Sequence, residues 1–198
     1  MNAMTEPSTQ AGQGPTTEPM QDPTQDPTQD LQALAQALRS RGWRLATAES
    51  CTGGLIAAAC TSLAGSSDWF DRGFVTYSNE AKSQMLGVDP TLIARHGAVS
   101  REVACAMAEG TLRHSPADLA VAVTGIAGPG GAVPGKPVGT VWLALAVKGA
   151  QTTSQTAADH AAWCLNCPGD RAAVREATVH QAIRRLLERA ALFPTARA

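Results

Sequence analysis

Apolar residues along this chain fall into two rhythms, and almost none occur in the first 29 positions. Leu31, Leu34, Ala35 and Leu38 recur at helical spacing. They predict an amphipathic helix that starts at Asp30 as its cap and stops at Gly42. Residues 43–48 read as a short strand, 49–54 as a turn and 55–63 as a helix of small residues. Residues 74–78 predict a second strand and 79–86 a short helix. Ser100 caps a longer helix reaching about His114, with Val103, Met107 and Leu112 inward. Residues 119–124 are an uninterrupted apolar run of the kind buried on both faces of a sheet. A loop rich in Gly and Pro, 125–137, separates it from a second such run at 138–147. Lys148, Gly149 and Ala150 predict a turn into a more polar edge strand near 151–158. A last helix from Asp170 to about Leu192 carries Val174, Ile183, Leu186 and Leu187. Strands alternating with helices predict the α/β class, a layered domain around a mixed sheet.

The first 29 residues are rich in Pro, Thr and Gln and contain the repeat QDPTQDPTQD. So few apolar side chains cannot offset the entropy of ordering, so the pattern predicts a disordered tail. It also predicts a folded domain over 30–193 and a flexible end over 194–198. Hydrophobic residues are 44% of the chain but aromatics only 4%, so its core must be aliphatic. A formal net charge of −1 argues against a nucleic-acid binder that works by neutralising phosphates. No apolar run approaches the roughly 20 residues that cross a bilayer, and no segment resembles a signal peptide. The expected location is the cytoplasm. The five cysteines, an odd count, do not suggest a disulfide framework. Cys164 and Cys167 form a single CxxC with His160 nearby, but a structural zinc site needs four ligands and no second pair follows. Zinc binding at this pair is therefore not expected.

Two glycine-containing loops each follow a strand, the place where ligands gather in open α/β sheets. The first is Glu49-Ser50-Cys51-Thr52-Gly53-Gly54. It offers a hydroxyl, a thiol, a second hydroxyl and backbone amides at a helix start, which favour an anion. The plainer reading is a well-capped helix with Thr52 as cap. Ser50 and Cys51 are rival nucleophiles: a helix N-terminus activates a thiol, whereas a serine needs a base. None of the four histidines is tied by pattern to this loop. Lys82, one turn into a helix, could serve as that base if burial removes its charge, and Tyr77 could relay a proton or orient it. Both also read as ordinary surface residues. The second loop, Thr124 to Gly131, includes Gly125, Gly128 and Gly130, which would let a ligand approach the backbone. Gly130, Gly135 and Lys136 have P-loop spacing, but Pro137 stands where a magnesium-binding hydroxyl belongs and a strand follows, so ATP hydrolysis is rejected.

AESCTGGLIAA, VTYSNEAK, LGV, HGAVS, VTGIAGPGG, KPVGTV and PGDR occur in this order over residues 31–192. This series resembles the C-terminal domain of the competence/damage-inducible CinA family. The resemblance implies a three-layer α/β/α sandwich with a mixed central sheet. It also implies hydrolysis of nicotinamide mononucleotide to nicotinate mononucleotide and ammonia, in pyridine nucleotide salvage, by a homodimer or higher homo-oligomer that uses no metal or organic cofactor; the charge and the apolar runs add the expectation of no nucleic acid and no membrane as partners. Carried over by position, Ser50 is the nucleophile and Tyr77 and Lys82 handle the proton. Thr124 lines the pocket and Arg171 suits the phosphate. Glu49, Cys51, Thr52, Gly53, Gly54, Asn79, Gly125, Gly128 and Gly130 fall in matching motifs and are expected around the substrate. Many family members carry an N-terminal nucleotide-processing domain with no counterpart in these residues. The stretch 151–167 with its CxxC is also atypical. A non-catalytic nucleotide sensor and a cysteine hydrolase using Cys51 are the competing readings.

Overall fold

The computed structural model describes residues 27–149 and 159–194. The expected tail up to residue 26, the end from 195 and the edge strand expected near 151–158 lie outside the described residues. The elements are α1 (Pro27–Arg39), β1 (Leu45–Glu49), α2 (Leu55–Thr61), β2 (Phe70–Val75), α3 (Asn79–Leu86), α4 (Pro90–His96), α5 (Arg101–Arg113), β3 (Leu119–Gly125), β4 (Thr140–Val147), β5 (Asp159–Asn166) and α6 (Arg171–Ala191). The sheet order is β2-β1-β3-β4-β5. β1 runs parallel to β2 and β3, while β3–β4 and β4–β5 are antiparallel, so the sheet is mixed.

The period of two along the strands divides the core into two layers. On β3, Leu119, Val121 and Val123 face the layer of α1, α2 and α6, joined by Leu143 and Leu145 of β4. Ala122, Ala144 and Ala146 point the other way, onto α5 with α3 and α4 beside it. Alanines on that face let α5 lie close to the sheet. This is the three-layer α/β/α arrangement.

Several boundaries differ from the pattern. Helix α1 already covers Pro27, so Asp30 sits in its first turn instead of capping it. β2 begins at Phe70, well ahead of the expected 74. Its Asp71-Arg72-Gly73 stretch looks like a turn but belongs to an edge strand whose outer side meets water. α4 was not expected, although Asp89 caps it and Pro90 opens it, a recognisable start signal. The second antiparallel partner is β5, which carries Cys164 opposite Trp142, with the buried Cys167 just beyond. Both cysteines are free. Among the described residues no helix is long and apolar enough to cross a membrane.

Candidate active site

The three parallel strands β2, β1 and β3 end at the same edge of the sheet. The alternation that buries Leu45 and Thr47 on the α2 side puts Glu49 there too. Its carboxylate is 1% exposed. It accepts hydrogen bonds from Thr47 and Thr52 hydroxyls and from the amides of Gly54, Ile56 and Ala57, at 2.7 to 3.2 Å. Glu49 therefore caps α2 with its own charge. The α2 N-cap is Gly54, in a left-handed conformation at φ 99°, not Thr52, whose hydroxyl serves Glu49. Glu49 supports the turn from inside and has no surface for a substrate. The anion expected at this helix start is the protein's own.

The next residue points to the opposite layer. Ser50 Oγ lies 3.2 Å from Lys82 Nζ, which comes from α3 and is 1% exposed. The same ammonium nitrogen donates to the carbonyls of Thr76 at 3.0 Å and Ser78 at 3.4 Å. No carboxylate pairs with it among the described residues, and burial pulls its pKa below the usual lysine range. Carbonyl oxygens only accept. A neutral amine that gives its two hydrogens to Thr76 and Ser78 turns its lone pair to the Ser50 hydroxyl. This arrangement can activate an alcohol as a nucleophile.

Cys51, the rival, is 5% exposed, and burial pushes its thiol up to about 12. A thiol in that setting is a poor nucleophile at neutral pH.

The remaining expected residues spread around this centre. Tyr77 is 62% exposed, and its hydroxyl accepts from Arg171 Nη2 at 3.1 Å. Among the described residues no hydrogen bond joins Tyr77 to Ser50 or Lys82; its hydroxyl meets Arg171 instead. Arg171, at the first turn of α6, also donates to the Gly128 carbonyl at 2.9 Å. Thr124 is turned inward, and its hydroxyl donates to Ala98 O at 2.9 Å, fixing the loop before α5. Gly125 serves strand packing: a Cβ there would stand 2.6 Å from Val141 Cγ2. Gly130 has open space around it on the rim. Gly53 lies beside Gly54 in the turn, its amide donating to Ser50 O. Asn79 is exposed at the start of α3 and borders an open cavity of about 450 Å³ between α3 and α4, away from Ser50.

Two residues emerge that the sequence did not single out for these roles. Lys136 of the near P-loop donates to the carbonyls of His96 and Val99, tying its loop to the α4–α5 connection. Arg175, one helical turn past Arg171, donates to Thr52 O at 2.9 Å. The i, i+4 spacing of the two arginines is the signal that could have found it.

The family model described as the CinA C-terminal domain matches residues 28–190. A putative competence-damage inducible protein of Symbiobacterium thermophilum is 56% identical over 150 residues, 75% of this chain. The match spans only 35% of that relative's length. The nicotinamide-nucleotide amidohydrolase PncC of Escherichia coli K12 is 48% identical over 155 residues, covering 78% of this chain and 89% of the relative. Among solved structures, a CinA superfamily protein from Klebsiella pneumoniae aligns with TM-score 0.78 at 38% identity, over 85% of this chain and all of its own. The CihA protein of Agrobacterium tumefaciens aligns with TM-score 0.77 at 42% identity, over 85% of this chain and 98% of its own. With a family model matched over residues 28–190 and these relatives and structures, the chain belongs to the CinA C-terminal domain family.

Proposed function

We propose that this chain hydrolyses the carboxamide of nicotinamide mononucleotide to nicotinate mononucleotide and ammonia, with Ser50 as nucleophile and Lys82 as the immediate base. The observation that carries the mechanism is the buried Lys82 amine, 3.2 Å from Ser50 Oγ and otherwise held by two carbonyls. The substrate is taken from the relatives named nicotinamide-nucleotide amidohydrolase.

Ser50 Oγ bonds to the amide carbon as its proton passes to Lys82. The tetrahedral adduct collapses, the carbon–nitrogen bond breaks, and the leaving nitrogen takes the proton from Lys82 to depart as ammonia. Water then attacks the acyl ester, giving its proton to Lys82, and the ester bond breaks to return the hydrogen to Ser50. The turn narrows the choice of oxyanion donors. Gly54 is tied to Glu49, Gly53 to Ser50 O and Ser50 to Val123 O. The amides of Cys51 and Thr52 make no backbone hydrogen bond among the described residues. They are free to take a developing oxyanion, at about 2.7–4 kcal/mol per well-aimed donor. Arg171 receives the phosphate, and Tyr77 holds Arg171 in place. The reaction belongs in pyridine nucleotide salvage, and the family resemblance leads to a homo-oligomer, which sedimentation equilibrium reads directly.

The test is ammonia release by purified protein from nicotinamide mononucleotide, with glutamine as control. Release from the nucleotide alone, lost in Ser50→Ala, supports the reading. No release while the nucleotide still binds overturns it in favour of a sensor module.

A further inference from the structure

A guanidinium removed from water and left without an anion costs free energy, so its retention calls for a reason. Arg175 is half-buried on α6, and its Nε is shut off from solvent with no acceptor. Among the described residues no carboxylate lies within ion-pair distance of it. Its one hydrogen bond goes to the Thr52 carbonyl, two residues beyond Ser50. The guanidinium also lies over Gly53, where a Cβ would stand 3.7 Å from Nη2.

We propose that Arg175 is a positioning residue for the Ser50 reaction, holding the nucleophile turn against α6 through the Thr52 carbonyl. This rests on the amidase reading above. Glu49 grips the turn from the α2 side through the Thr52 hydroxyl and the Gly54 amide. Arg175 grips it from the α6 side through the Thr52 carbonyl, so that one residue is held at both ends. The peptide that accepts from Arg175 continues into the Gly53 amide, which donates back to Ser50 O and closes the turn. Arg171 sits one turn earlier on the same helix and holds Gly128 and Tyr77 at the mouth. The start of α6 is thus a rigid spacer between the phosphate end of the substrate and the nucleophile. A fixed positive charge beside the turn also favours the adduct's negative charge over the neutral amide, which raises turnover, not ground-state binding.

Steady-state ammonia release, melting temperature and the rate of Ser50 labelling by a fluorophosphonate are measured for wild type, Arg175→Met and Arg175→Lys. The Met variant keeps the packed stem and loses the charge and the bond. Its kcat and labelling rate are expected to fall by about 10²-fold, the scale of a small misplacement of reacting groups, with KM little changed. The Lys variant retains a cation and a donor that reaches the same carbonyl, and it recovers most of both rates. A Met variant with wild-type kcat, a change in KM alone, or a Lys variant as slow as Met overturns the proposal. If the Met variant does not fold, Arg175→Gln takes its place under the same criteria. Wild-type protein that labels at Ser50 but releases no ammonia sinks the substrate reading, while the labelling rates still decide the role of Arg175.

Discussion

Lys82 and Ser50 are 32 residues apart in the chain and 3.2 Å apart in the fold, with Lys82 on α3 and Ser50 just past the end of β1. The nitrogen sits over two backbone carbonyls that fix its direction. Position and burial together suit this lysine to the base role proposed for it.

The identity of the nucleophile is testable by paired substitutions. Ser50→Ala is expected to lower kcat by at least about 10³-fold, as for loss of a covalent nucleophile. Cys51→Ala is expected to keep most of its turnover, because the thiol is buried and held protonated. Kinetics of ammonia release distinguish them, and a dead Cys51→Ala with a trapped thioester reverses the assignment.

Lys82 gives a pH signature in both activity and stability. Its neutral form is the base, so kcat/KM rises with pH through a pKa below the usual lysine value. Lys82→Met should lose about 10²–10⁴-fold in kcat, the range of general base catalysis. In wild type the folded pKa lies below the unfolded one, so between them the unfolded chain binds more protons and stability rises with pH. The penalty for charging the buried amine is fully present below the folded pKa and is relieved progressively as pH rises from there to the unfolded pKa. Chemical denaturation of wild type and Lys82→Met across alkaline pH should therefore shift in favour of wild type. A pH-independent difference would show that Lys82 carries no such penalty.

Glu49→Gln tests the inner support of the turn. A glutamine presents an NH₂ group to donors that need an acceptor, leaving buried amides unpaired at about 1–3 kcal/mol. The expected result is a lower melting temperature together with a lower kcat. Unchanged stability and turnover would remove Glu49 from the cap.

Arg171→Met should raise KM for the mononucleotide by about tenfold or more, the worth of charge-assisted hydrogen bonds near 1.5–3 kcal/mol, with a smaller effect on kcat. The same variant should discriminate less between nicotinamide mononucleotide and its riboside. Equal KM values for wild type and variant would move the phosphate elsewhere.

Gly125→Ala should destabilise by about 1–3 kcal/mol through overpacking, since a Cβ would meet Val141 Cγ2 at 2.6 Å and Thr140 O at 2.9 Å. Thermal denaturation reads this, and a neutral result would show that β3 and β4 can spread.

The sequence by itself determined the elements whose patterns are local. The apolar runs of β3 and β4, the Ser100 cap of α5, the last helix from about Asp170 and the glycine turn after β1 all follow from side-chain period and turn chemistry within a few neighbours. The motif series also marked Ser50 and Lys82 as residues worth watching. Tertiary structure alone brought them together. Which of Ser50 and Cys51 reacts depends on burial and on which face each side chain takes. Glu49 caps α2, and Tyr77, in the loop after β2, meets Arg171 at the start of α6. Arg175 gained a role from a contact spanning 123 residues. Such pairings arise from how layers pack around a sheet, and no short window of residues encodes them.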